Sequence, residues 1–266
     1  MPLYLTFTIA FLGFTCISAA RVVLSLYSLH LGAQPFAVGV LVAMFYLCPL
    51  VFSWPIGALS DRVRPQWPLL VGAIGGALGM AVPYFWHALP AMFIAAAMSG
   101  LALAILHVLA QNLVGLLSKP ADRARNFGNF SMIGASTNFS GPLIAGLAID
   151  HTDQITACLF VVAIWTASAL LIASRAQVLP VSKREAGPST HILETLRDRR
   201  VLRILVTSSL AQLGSDIFQF YLPIHGHDAG LSATAIGVVL AAFAVASFSV
   251  RSVLTKLVAR YGEETL

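Results

Sequence analysis

Residues 36–64 read FAVGVLVAMFYLCPLVFSWPIGALSDRVR, and the architecture of the chain can be read outward from them. Residues 36–58 carry no charge. As a helix rising about 1.5 Å per residue, such a run is long enough to cross about 30 Å of hydrocarbon. Asp61, Arg62 and Arg64 follow at once, and Pro65 ends the run. An uncharged, membrane-length stretch that stops at basic residues is the pattern of a helix leaving the bilayer on its positive side.

The same pattern repeats along the chain. Comparable stretches lie at 4–30, 67–87, 90–117, 128–149, 155–174, 203–224 and 233–256, which makes eight expected spans. Turn signals punctuate them at Leu31 through Pro35, Arg64-Pro65, Lys119-Pro120 and Gly226 through Gly230. Composition agrees, with 58% hydrophobic residues, 10% charged residues and a mean hydropathy of +0.84. A soluble domain carries about 25% charged residues to keep its surface wet, so most of this surface faces lipid. A β-barrel would show strictly alternating segments of about 10 residues, and the sequence has none. The expected fold is an all-α, polytopic membrane bundle.

Charge placement sets the orientation. Arg62, Arg64, Lys119, Arg123, Arg125, Arg175, Lys183, Arg184, Arg197, Arg199, Arg200, Arg203, Lys256 and Arg260 all lie in or beside the loops after spans two, four, six and eight. The other loops hold His30, His87, Asp150, His151, Asp153, His225, His227 and Asp228, with no Lys or Arg. By the positive-inside rule both termini are cytoplasmic. The net charge of +5 therefore reflects topology and implies no nucleic-acid partner.

The one long connection, 175–202, has a dense charge run whose second part, 191–203, could lie on the inner leaflet as an amphipathic helix. It divides the chain into a six-helix bundle (1–174), a cytoplasmic loop (175–202) and two further helices (203–266). Those two begin a repeat. GVLVAMF at 39–45 matches GVVLAAF at 237–243, an offset of 198 residues. Parallel six-span repeats relate the halves of some transporters, and here the second copy has only two of its spans.

The loop Gly57-Ala58-Leu59-Ser60-Asp61-Arg62-Val63-Arg64 resembles the signature loop of the major facilitator superfamily, G-x-L-x-D-R-x-G-R. Gly57, Leu59, Asp61 and Arg62 match, Arg64 stands at the expected glycine and Pro65 at the expected arginine. Gly57 is expected to let neighbouring helix ends approach closely, and Arg62 to anchor at the inner leaflet. Span five is similar to the family's fifth-helix motif, G-x8-G-x3-G-P-x2-G-G. Gly128, Gly141, Pro142 and Gly146 match, with Thr137 and Ala145 at two glycine positions. Small residues there permit close packing, and Pro142 removes a helical hydrogen bond. The loop 119–125 also looks like the family's loop after span four. The resemblance covers the whole chain as about two-thirds of a twelve-span protein. It implies a proton-coupled secondary transporter of a small solute in a bacterial inner membrane, and the span-five motif favours export. The other reading is a truncated membrane protein that does not transport: a remnant, scaffold or sensor.

Ionisable residues within spans cost several kcal/mol and are candidates for function. Arg21 lies in span one, Asp216 near the middle of span seven, and Arg251 in the inner third of span eight, where it could snorkel. In the family, spans one and seven are symmetry mates, which implies that Arg21 and Asp216 face one another across the central cavity. Burial and a neighbouring cation act oppositely on a carboxyl's hold on its proton, so such a pair could couple to protons or simply be structural. Arg21 could instead bind an anionic group of the substrate. His107 and Gln111 share a helix face at i and i+4, and a histidine titrates near neutral pH. Asn138, Gln212 and Gln219 are further polar groups at depth, each singly more apt to join helices by hydrogen bonds than to bind solute.

Cys16, Cys48 and Cys158 lie in apolar runs without the spacing of a metal or redox site. His225 and His227 resemble a metal pair, but with Asp228 alone as a third ligand nearby they are expected to be solvated loop residues. No nucleophile elbow, phosphate loop, HExxH or dinucleotide fingerprint occurs, so neither an enzyme nor a cofactor is expected. The expected partners are the bilayer, a small solute and protons, with the chain a monomer.

Overall fold

The computed structural model describes residues 2–60, 63–175 and 199–261. Within them run eight long helices: α1 Pro2–His30, α2 Pro35–Ser60, α3 Gln66–Phe85, α4 Leu89–Leu117, α5 Arg123–His151, α6 Gln154–Ser174, α7 Arg199–Asp228 and α8 Ala233–Tyr261. A single 3-10 turn, Pro120–Asp122, leads into α5, and no strand occurs among the described residues. The first six helices are each long and apolar enough to cross a membrane. In the last two, the described residues give shorter apolar stretches, Val201–Leu210 and Ala233–Ser247. α7 carries Asp216 and Gln219 within its length, both of which line the cavity described below.

Burial divides the helices by role. α1 is buried on most of its surface and packs against α4, α5 and α6. α2 leaves Leu47, Leu50, Val51, Phe52 and Trp54 exposed, an apolar face suited to lipid. Trp165 of α6 is fully buried against Gly76 of α3 and helps fix the α3–α6 pair. Glycine lets backbones meet at Gly100, where a Cβ would lie 2.8 Å from the Met44 carbonyl oxygen of α2. At Gly57, nothing among the described residues lies within 4 Å of where its Cβ would stand.

Prolines sit inside α2 (Pro49, Pro55), α3 (Pro83), α5 (Pro142) and α7 (Pro223). Each deprives the carbonyl four residues earlier of its helical donor, which a membrane helix tolerates where neighbours or hydroxyls compensate.

α8 packs against α5 along a long seam, whereas the described residues of α7 make fewer contacts, chiefly with α1 and α8 and briefly with α2. The first half of α7 stands clear: Leu202, Ile204, Leu205, Val206 and Leu210 are exposed. The expected surface helix over 191–203 lies largely outside the described residues. So do Asp61 and Arg62 and the side chains of Gln212, Arg251, Lys256 and Arg260.

Candidate functional site

A cavity of about 610 Å3 lies between α1, α2, α4 and α5 on one side and α7 and α8 on the other, within the size range of small-molecule sites. Its lining includes every candidate chosen from sequence for a substrate or proton pathway: Arg21, His107, Gln111, Asn138, Asp216 and Gln219. They fall in two layers. Depth can be counted from the end that holds the α1–α2, α5–α6 and α7–α8 turns. Arg21 is nine residues below the end of α1, Asp216 twelve below the end of α7 and Gln219 nine, which places them roughly 14–18 Å deep. His107 lies eighteen residues into α4, roughly 27 Å from the same end.

The shallower layer holds the charges, and a residue the sequence reading passed over joins them. Arg21 Nη1 donates to the Tyr46 hydroxyl at 2.7 Å, and that hydroxyl donates to Asp216 Oδ1 at 3.2 Å. The guanidinium also sits 5.7 Å from the centroid of the Tyr46 ring, within cation–π range. The expected apposition of Arg21 and Asp216 is therefore indirect, a cation–phenol–carboxylate chain running from α1 through α2 to α7. Tyr46 reads in sequence as one more aromatic in an apolar span. Its signal was positional: eleven residues into α2, it lies at the depth of Arg21 across the α1–α2 hairpin.

The deeper layer is aromatic and amide-rich. His107 lies with ring centroids 5.6 Å from Phe14 and 6.5 Å from Phe130, while Phe14 and Phe130 are 5.8 Å apart. Gln111 Nε2 is 3.2 Å from His107 Nδ1, the pairing expected of an i, i+4 step. Apolar rings beside hydrogen-bonding groups suit a solute with both kinds of surface. Among the described residues no group of three potential metal ligands occurs, His225 and His227 included.

Above the charged layer the space narrows to a pocket of about 20 Å3 between Ser18, Val22, Ser25, Val42, Phe220 and Pro223. Over it the span-five motif closes the bundle. A Cβ on Gly141 would lie 2.9 Å from the Ala19 nitrogen of α1, one on Gly146 2.5 Å from the Ala233 carbonyl oxygen, and one on Gly237 of α8 2.6 Å from the Pro142 carbonyl oxygen. Thr137 and Ala145 are buried beside them. Gly128, the first residue of the motif, is exposed with nothing within 4 Å, so close packing belongs only to the motif's later half.

In the signature loop, Leu59 and Arg64 are at least half-exposed or nearly so, and Ser60 accepts a hydrogen bond from Asn112 Nδ2 (2.9 Å) that ties α2 to α4. Nearby, Arg125 pairs with Asp122 at 3.1 Å, an exposed i, i+3 contact of small energetic weight.

Fold and site together define a membrane helical bundle with a cavity of mixed polar and apolar lining between its first six helices and its last two. The Major Facilitator Superfamily profile matches residues 3–266, and the chain belongs to that family of membrane solute transporters. No curated protein matches the sequence significantly. Among solved structures, the nucleoside transporter NupG superposes with a TM-score of 0.75 at 15% identity, covering 98% of this chain and 69% of its own. A D-xylose-proton symporter matches at 0.64 and 15%, covering 98% and 70%. The peptide transporter POT in complex with sulfate matches at 0.59 and 17%, covering 85% and 49%. At these identities the likeness speaks to fold alone.

Proposed function

We propose that this protein moves a small solute across a bacterial inner membrane by alternating access, coupled to protons, with both termini cytoplasmic. The observation that carries the reading is the Arg21–Tyr46–Asp216 chain, because it joins the first six helices to α7 at the depth where the cavity ends. While Asp216 is ionised, it accepts from Tyr46, and Arg21 supports the chain with its charge. A proton delivered to Asp216 removes that charge-assisted bond and loosens α7 from α1 and α2, freeing the halves to re-orient. A solute group that competes for Arg21 or Asp216 would have the same effect, which is how coupling arises.

Segregation of Lys and Arg supports this orientation, in which the cavity faces the cytoplasmic side. The arrangement is then inward-open: a cavity with His107 and Gln111 deep on the cytoplasmic side and a seal on the outer side. Export is supported by the span-five motif, whose Gly141, Pro142 and Gly146 form that seal. Asp61, Arg62 and Arg64 of the signature loop would then help close the inner side in the opposite state.

The test is a solute panel applied to a transporter-deficient bacterial strain, with the unchanged chain and Asp216→Asn side by side. Growth or resistance conferred by the unchanged chain and reduced at least about tenfold in the variant supports the reading. A solute phenotype that Asp216→Asn leaves intact removes Asp216 from the coupling step.

A further inference from the structure

The first four N–H groups of a helix have no partner within it and must find one elsewhere. At the start of α8 the N–H groups of Ala233, Thr234 and Ala235 find such partners, two of them on another helix, before the helix's own bonding begins at Ile236. Ile236 N–H donates to the Ser232 carbonyl at 3.1 Å, and Ala235 N–H to Ser232 Oγ at 3.1 Å. Ala233 N–H donates to Asp150 Oδ1 at 3.0 Å, and Thr234 N–H to Asp150 Oδ2 at 2.7 Å. Asp150 belongs to the last turn of α5. Its carboxylate thus spans 83 positions to sit on the positive end of a helix in the other half. Three residues further on, Asp153 caps its own helix α6 through Thr156 N–H at 2.7 Å. The two acids have the same chemistry, but only Asp150 works across halves.

Asp150 also stands at the head of the seam that seals the bundle. Pro142, Gly146 and Asp150 follow one another at i, i+4 and i+8 on one face of α5, opposite Gly237 and Ala233 of α8. Thr234 Oγ1 donates to the Gly146 carbonyl at 3.3 Å, between the capping contact and the glycine contact. Asp150 is itself exposed, so when the seam parts, water replaces both of its bonds. That makes the contact breakable, which a permanent structural cap need not be.

We propose that Asp150 is the latch of the outer gate: a positioning residue that caps α8 from α5 while the cavity faces inward and releases it when the outer side opens. This rests on the alternating-access reading above, and names the contact by which one of its two states is held. The signature loop is expected to serve the inner side; Asp150 gives the outer side its own electrostatic catch.

Spin labels at exposed positions on each end of the full chain in lipid nanodiscs provide the test, with Cys48→Ala removing the half-buried native thiol. His87→Cys and Ala229→Cys report the outer side, and Arg125→Cys and Arg199→Cys the inner side. Asp150→Ala is expected to raise the outward-open population about fivefold, the effect of losing a helix cap. The outer distance lengthens while the inner one shortens. Asp150→Asn keeps an acceptor oxygen without the charge and falls between. Reciprocal movement is the signature, because simple destabilisation would broaden both distances together. The latch is overturned if both variants match the unchanged chain, or if both ends broaden without reciprocity. Solute flux measured on the same samples separates the two readings. Reciprocal movement without any flux keeps the latch and removes transport, whereas flux with unmoved distances removes the latch alone.

Discussion

The two ends of α5 are built from similar residues and do opposite things. Near its start, Gly128 is exposed and touches nothing within 4 Å, and the helix lines a cavity with Phe130, Ser131 and Gly134. Near its end, Gly146 lies against the Ala233 backbone, and Asp150 caps the helix it meets. A glycine thus makes a seam only where a second backbone arrives to use the missing Cβ. The difference between the ends is what the proposed alternating access requires: one side sealed by contacts able to part, the other open to solute.

Swapping glycines between roles should break this contrast most visibly. Gly146→Ala places a methyl group against backbone and should cost about 1–3 kcal/mol of thermal stability or force the outer side open. Gly128→Ala, in the same helix, should be neutral or stabilise by about 0.5–1 kcal/mol, since alanine is the better helix former. Melting of the two purified variants in one detergent checks both values. Equal effects would mean that the seam is not tightly packed.

Tyr46→Phe sharpens the contrast at the layer between the ends. It keeps the ring under Arg21 and removes the hydroxyl that links Arg21 to Asp216. Proton-coupled flux should fall about tenfold, in line with about 1.5 kcal/mol for one hydrogen bond to a charged group. Binding of solute in the absence of a pH gradient should change less. The smallest effect is expected at Asp153, whose bonds to Thr156 hold its carboxyl below the usual range. Because that value is lowered in the folded chain, the cap's contribution is present above the ordinary carboxylate pKa and fades as pH falls through the folded value. Asp153→Ala should therefore cost about 1 kcal/mol or less at neutral pH and progressively less in acid, as read by melting across a pH series.

Much of this could be read from the sequence, for reasons rooted in bilayer physics. A span must be long and uncharged, and Lys and Arg stay inside, so helix number and order followed from 36–64 and its repeats. Cavity residues were legible as costly polar groups in apolar runs, and Arg21, His107 and Asp216 do line one space. What linked them was not legible in the same way. Tyr46 carries no cost signal in a membrane helix, and its role depends on depth shared across a hairpin. Asp150 looked like a loop acid because its partners, Ala233 and Thr234, are backbone N–H groups, which composition never marks. A glycine in sequence, such as Gly128, says nothing about whether another helix comes near.

The central claim is that Asp216 links proton movement to solute movement through the chain that ends at Arg21. Simultaneous measurement of solute and proton fluxes in vesicles, for a solute the unchanged chain carries, tests it most directly. The account predicts a fixed proton-to-solute ratio in the unchanged chain, and solute exchange without proton movement in Asp216→Asn. The same ratio in both proteins would contradict it.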